Sequence, residues 1–330
     1  MTSGSKKRKF SFIDLFSGAG GFSLGFTQAG FEDRLAIEID DSAAQTYKLN
    51  FPNSEVWKRD ICSIHSLEIL EEASDEIDVV LASPPCEPFT AANPRRKKTP
   101  FERFYEDPQG ALIFHVSRIV GDLSPKFFVI ENVVPLADSD GREIIKEEFR
   151  RIGYNKIHFN FISCEKYGCP SYRNRLFISN VHLDVVPQKK KKVEEVLLDL
   201  PSPSYPNNIP NHFRIPFPKQ VKNEGIGIRK GHAAVYFKGS SRENRNWTKL
   251  NEKELAPTIM GKSRFIHPLE NRPLSVREQA RLMSFPDDFI FTGSVESMFN
   301  QIGEAVPPVI SRQIAQTIRS KIEKYKEKEF

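Results

Sequence analysis

From residue 10 to residue 181 the chain alternates short apolar runs with stretches of helical periodicity. The runs at 10–16, 35–39, 55–59, 77–81, 126–130, 155–162 and 176–181 read as strands, several of them apolar enough to be covered on both faces. Amphipathic stretches beginning near Phe22 and spanning 109–122 and 141–151 read as helices. Strand and helix in alternation predict an α/β fold with a doubly wound, mixed but mostly parallel sheet. The pattern changes after residue 181: residues 201–231 are dense in proline, asparagine and glycine, and residues 185–272 read as a smaller, irregular second domain. Helices at 277–283 and 308–325 follow, the second packing back on the first domain. The expected division is a basic disordered tail at 1–9, a first domain at 10–184, the second at 185–272, and a returning C-terminal segment at 273–330.

In an open α/β sheet the C-terminal strand ends carry the site, so the residues there set the chemistry. The strand at 77–81 runs into Ser83-Pro84-Pro85-Cys86-Glu87, where two prolines fix the backbone and hold Cys86 as a nucleophile would be held. The first strand enters Ser17-Gly18-Ala19-Gly20-Gly21 before a helix; Ser23 stands where the dinucleotide fingerprint has its third glycine. That loop fits close backbone approach to an adenosine-bearing molecule other than a pyrophosphate. Glu38, about 20 residues further on, is placed to accept from ribose hydroxyls. Asp60 is placed to accept from an adenine amino group, with Ile61 packing on the ring. Glu131 ends the strand at 126–130, and a partly buried carboxyl there would stay protonated and donate to a heterocycle. Arg173 and Arg175, two residues apart on an extended segment, point to one side and would grip a carbonyl oxygen and a phosphate. Residues 87–108 show no periodicity and read as a mobile basic loop over a phosphate backbone.

Charge sharpens this picture more than composition does. The net charge is only +5, but cations cluster at 6–9, 95–98 and 189–192, as on a polyanion-binding face. Arg95, Arg96, Lys97 and Lys98, with Arg229, Lys230, Arg242 and Arg245 of the second domain, are the expected contacts to phosphates and base edges; in the second domain such residues interleave with aromatics. Four scattered cysteines, with no C-x-x-C pair, predict a reducing compartment, free thiols and no metal site. No run approaches the roughly 18 apolar residues of a membrane span. A cytoplasmic monomer is expected.

With these residues in view, the chain resembles the C5-cytosine DNA methyltransferases from Phe12 to about Ile314. Phe16-Ser17-Gly18-Ala19-Gly20-Gly21 is similar to the family's cofactor loop, Pro84-Pro85-Cys86 to its nucleophile motif, Glu131-Asn132-Val133 to its carboxylate motif and Arg173-Asn174-Arg175-Leu176-Phe177 to its arginine motif. Two C-terminal motifs, Arg272 to Glu278 and Gln301 to Pro308, complete six in the family's order. The resemblance implies the S-adenosylmethionine-dependent methyltransferase fold, with residues 185–272 as target-recognition domain, S-adenosylmethionine as cofactor and a cytosine flipped out of double-stranded DNA as substrate. It implies Cys86, Glu131, Arg173 and Arg175 as catalytic residues. Phe16, Gly18, Gly20, Gly21, Glu38, Ile39, Asp60, Ile61, Pro85, Glu304 and Ala305 are implied as the cofactor site. The chain departs from the family pattern at Glu304 (usually asparagine), Glu87 (usually glutamine), Ser171-Tyr172 and Ile39. Two alternatives stay open: the family's tRNA-methylating branch, disfavoured by Ser163-Cys164-Glu165, and a non-catalytic DNA-binding member.

Overall fold

The computed structural model describes residues 9–73, 76–219, 221, 227–238 and 243–328. The expected tail lies almost wholly outside them. Seven strands form the main sheet: β1 (Ser11–Leu15), β2 (Glu32–Glu38), β3 (Glu55–Lys58), β4 (Val79–Ala82), β5 (Phe127–Asn132), β6 (His158–Ser163) and β7 (Asn174–Ser179), in the order β3-β2-β1-β4-β5-β7-β6. The first five run parallel; β7 is antiparallel to β5 and to β6. This is the expected mixed, mostly parallel sheet. The strand order reverses between β1 and β4, which opens a crevice at their C-terminal ends.

Strands β1, β4 and β5 are buried throughout, because helices cover both faces. Alternate residues divide between the two layers. Ile13, Val80 and Ile130 face Ile69, Val116, Ile119 and Phe149, from the helices α3 (Ser66–Ala73), α4 (Leu112–Leu123) and α5 (Ser139–Arg151). Phe12, Val79, Leu81 and Val129 face Phe22 and Phe26 of α1 (Gly21–Gln28) and Ile310, Ile314 and Ile318 of the C-terminal helix Pro308–Lys328. That helix therefore returns to the first domain as expected. A Cβ at Gly25 would come within 2.3 Å of the Arg312 nitrogen, so the two helices approach this closely only because residue 25 is glycine.

Residues 185–272 hold more order than their composition foretold. They contain a three-stranded sheet, β8 (Ala233–Lys238) antiparallel to β9 (Glu243–Lys249) and β9 parallel to β10 (Phe265–Ile266). Val193, Leu197, Leu250, Ile259 and Phe265 also share a core with Ala36, Tyr47 and Phe51 of the first half. Among the described residues no helix is long and apolar enough to cross a membrane.

Candidate active site

The tips of β2, β1, β4 and β5 lie side by side. Leu15 pairs with Ile37 on one flank and with Ala82 on the other, and Ala82 pairs with Ile130. Ser17 donates to the Ile37 carbonyl and Ser83 to the Leu15 carbonyl, 3.0 and 3.1 Å, so the glycine loop and the proline loop leave the sheet together. Strand β7 enters at this same edge, antiparallel to β5, which brings Arg173 and Arg175 beside Glu131.

The glycine loop is shaped by backbone that most residues avoid. Phe16 sits at φ 59°, a left-handed conformation costing about 1–2 kcal/mol and held here by the surrounding structure. Gly20, at φ 95°, caps α1, and a Cβ there would strike the Phe51 ring at 2.3 Å. A Cβ at Gly21 would strike the Val306 carbonyl at 2.4 Å. Gly18, at φ 54°, is different: a Cβ there would meet nothing within 4 Å, so the loop faces open space at this point. Its N–H donates to Glu38 Oε2 at 2.8 Å, and the Asp40 N–H donates to Glu38 Oε1 at 2.7 Å. Burial pushes the Glu38 carboxyl above its usual range and these two donors pull it back. Each oxygen keeps a lone pair for a further donor. Beside it Ile39 is 65% exposed, an apolar face with no protein cover. Open loop, doubly accepting carboxylate and bare apolar face together suit an adenosine-bearing ligand.

Asp60 sits on the same rim, its Oδ1 accepting from the Cys62 N–H at 2.9 Å. Ile61 corrects the expectation. It is 3% exposed and packs in the core with Ile13 and Leu35, so it supports the rim from beneath and offers a ring no free face.

Cys86 is half-buried and packs against the core at the end of the proline loop. Burial first, then Glu87 and Glu131, push its thiol up to about 12, against the opposing pull of Arg175 and Arg173. All four groups therefore bear on one sulfur. Glu131 is buried and forms an ion pair with Arg175, whose Nε lies 2.8 Å from Oε1. In the free protein its partner is thus a guanidinium, where the sequence led us to expect an acid waiting for a heterocycle. The neighbouring Asn132 was overlooked: its Nδ2 donates to the Pro84 carbonyl at 2.9 Å, tying the tip of β5 to the nucleophile loop.

Arg173 is not a phosphate contact. It is 1% exposed, and its guanidinium donates to the carbonyls of Ile259 (2.9 Å), Gly303 (3.1 Å) and Ala305 (2.8 Å). A guanidinium has five donors and no acceptor, so a site lined by loop carbonyls fits it well. It anchors residues 303–305 at the start of β7; Ala305 and Val306 lie against Gly21 of the glycine loop, while Glu304 lies over Gly261. Glu304 stays open to water, yet the protein around its recess, together with Glu87, Glu38 and Asp40, pushes its carboxyl up to about 7.

The basic loop is better built than its sequence foretold. Residues 102–106 form a short wide helical turn, and buried Arg103 donates to the carbonyls of Lys97 and Lys98 while pairing with Asp138 at 2.8 Å. One buried guanidinium thus satisfies backbone that periodicity had left unexplained. It leaves Arg95, Lys97 and Lys98 exposed and Arg96 half-buried. In the second domain Arg229 and Arg245 are exposed, while Lys230 is engaged by Glu252 at 2.6 Å. Arg242 lies outside the described residues.

A second buried group went unread in the sequence. Asp14, on β1 directly beneath the glycine loop, accepts from Ser23 Oγ at 2.5 Å. Tyr47 Oη lies 2.7 Å from Ser23 Oγ and donates to Asp33 at 2.6 Å. The signal was a single carboxylate inside an otherwise buried strand.

Residues 10–320 match the family model for C-5 cytosine-specific DNA methylase. A candidate type II methyltransferase of Methanocaldococcus jannaschii is 38% identical over 94% of this chain and 98% of its own length. A type II methyltransferase of Haemophilus parahaemolyticus is 32% identical, covering 93% of this chain and 86% of itself. The crystal structure of a candidate DNA modification methyltransferase encoded within an E. coli prophage superposes with a TM-score of 0.76 at 24% identity, over 96% of this chain and all of the other, a likeness of fold.

Proposed function

The chain belongs to the C-5 cytosine-specific DNA methylase family, and we propose that its methyl transfer is carried by Cys86, Glu131 and Arg175 at the tips of β4, β5 and β7. The supporting observation is their convergence: the Cys86 thiol feels both Glu131 and Arg175, and those two are paired at 2.8 Å at the same sheet edge as the glycine loop, two strands along. The enzyme is a DNA (cytosine-5)-methyltransferase of the type found in restriction-modification systems.

Glu131 is buried and Cys86 and Arg175 are half-buried, so a cytosine reaches all three only when turned out of the duplex. The incoming base takes over both members of the Glu131–Arg175 pair: Arg175 donates to the cytosine O2 and Glu131 holds a proton at N3. The thiol keeps its own proton at rest, because burial and Glu87 oppose the thiolate. On addition, Sγ bonds to C6, the C5–C6 π electrons move into the ring toward N3, and the proton lost by sulfur is balanced by the one at N3. C5 becomes electron-rich. Gly18, Glu38, Ile39 and Asp60 would hold S-adenosylmethionine, which would supply an electrophilic methyl group to C5, the S–CH3 bonding pair staying on its sulfur. The C5 proton then leaves to water, its bonding pair re-forms the C5–C6 double bond, the C6–S pair returns to Cys86, and the N3 proton goes back through Glu131. Arg173 holds residues 303–305 in place and touches neither substrate.

Residues 185–272 act as the target-recognition domain, with Arg229 and Arg245 facing double-stranded DNA and Arg95, Lys97 and Lys98 meeting its backbone. The protein works as a cytoplasmic monomer, where the DNA is. A duplex carrying 5-fluorocytosine at the target tests the chemistry, because fluorine cannot leave as a proton does. A covalent complex stable to denaturation is expected with the wild type and none with Cys86→Ser; a duplex that is turned over but never trapped refutes the addition step.

A further inference from the structure

Glu304 ends the helix Val295–Glu304 on the segment that joins the two halves of the active site. On one side residues 305 and 306 press on the glycine loop, where a Cβ added to Gly21 would meet the Val306 carbonyl and the Ala305 Cβ. On the other side Arg173 holds the carbonyls of Gly303 and Ala305. The carboxylate leans over Gly261, where an added Cβ would come within 2.6 Å of its Oε1. No hydrogen-bond donor to either oxygen is present among the described residues.

The charged groups bearing on it come from every wall of the cleft. Glu38 and Asp40 lie on the glycine-loop side, Glu87 on the nucleophile loop, and Arg173 behind, its guanidinium already committed to carbonyls. Arg264, on the flank, donates to the Gly261 carbonyl. Three further carboxylates, against one guanidinium already engaged, thus bear on Glu304. A recess with that balance favours a cation over a neutral molecule of the same shape.

Resting on the methyltransferase reading above, we propose that Glu304 makes the cleft select the sulfonium donor over its demethylated thioether product by charge. Donor and product share the adenosine and amino-acid parts and differ by one methyl group and one positive charge. A carboxylate near the sulfur strengthens binding of the first and leaves the second nearly untouched, so product leaves readily after transfer. The carboxyl titrates near neutrality in the free protein, so the selection should grow as pH rises through about 7. Taking up the cation should expel the proton that Glu304 shares with solvent at that pH.

Isothermal titration of the full chain with S-adenosylmethionine and with S-adenosylhomocysteine, at about pH 6 and about pH 8, tests this. For two unit charges in a protein recess we expect the donor-to-product affinity ratio of the wild type at the higher pH to exceed that of Glu304→Gln by about tenfold. The gap should shrink at the lower pH, and donor binding should release protons in the wild type alone. Glu304→Asn, also neutral and smaller, should behave as Glu304→Gln does. A ratio that is the same in wild type and both variants overturns the proposal while leaving the methyltransferase reading intact. Failure of the wild type to bind either molecule overturns that reading, and this one with it.

Discussion

Asp14 carries a sharp test of the physical account, because its environment opposes its ordinary charge. It is wholly buried, one oxygen accepts from Ser23, and the other has no hydrogen-bond partner among the described residues. Burial first, then Asp33 and Glu38, raise its carboxyl from 3.8 to about 8. The native protein therefore keeps this proton up to about pH 8, while the unfolded chain releases it near 3.8. Between those values the native state binds the extra proton. Stability is full below the unfolded value and falls as pH rises, by about 1.4 kcal/mol per unit. Going from about pH 5 to about pH 7 should cost about 3 kcal/mol from this group. Asp33, raised to about 6 by its own burial, adds to the slope only in the lower part of that range. Asp14→Asn retains an acceptor for Ser23 and removes the titration. Urea unfolding followed by fluorescence and circular dichroism at several pH values, wild type against variant, isolates the term. The stability of the variant relative to wild type should grow by about 1.4 kcal/mol per pH unit between about pH 5 and 7. A difference that stays flat across that range refutes a neutral, buried Asp14.

The two arginines of the β7 entry should separate cleanly. Arg173→Leu orphans three buried carbonyls and should destabilise the protein by about 3–5 kcal/mol in urea unfolding. Arg175→Ala leaves the buried Glu131 carboxylate without its partner and should also destabilise, but it should abolish covalent trapping of the fluorinated duplex under conditions where the variant is folded; trapping by folded Arg175→Ala would contradict its role at the base. Asn132→Ala frees the Pro84 carbonyl and should lower kcat by about 10–100-fold with little change in donor affinity, measured by titration. Arg245→Ala should weaken DNA binding and lower the slope of log affinity against log salt by about 1, read by fluorescence anisotropy; an unchanged slope would remove Arg245 from the DNA face.

The strand tips were legible in the sequence because they rest on local rules. Apolar runs of strand length, glycines where backbone turns left-handed, and prolines where a strand must stop all act over a few residues, so Cys86, the glycine loop and Glu131 could be placed before any coordinates. The parallel order followed from strand–helix alternation, and with it the expectation that those tips share an edge. Partner choice was not local, and the tertiary structure decided it. Whether Arg173 meets a phosphate or three loop carbonyls depends on residues 259, 303 and 305, far along the chain. The same holds for Arg103, which folds a loop that periodicity left blank, and for Ile61, which a core claimed before a ligand could. Asp14 shows the limit most plainly: the chain announces a carboxylate inside a strand, but only packing on both faces determines that it must be neutral. Sequence sets which groups are available at a sheet edge; desolvation and hydrogen bonding across distant segments set what charge each carries and which of them remain free to react.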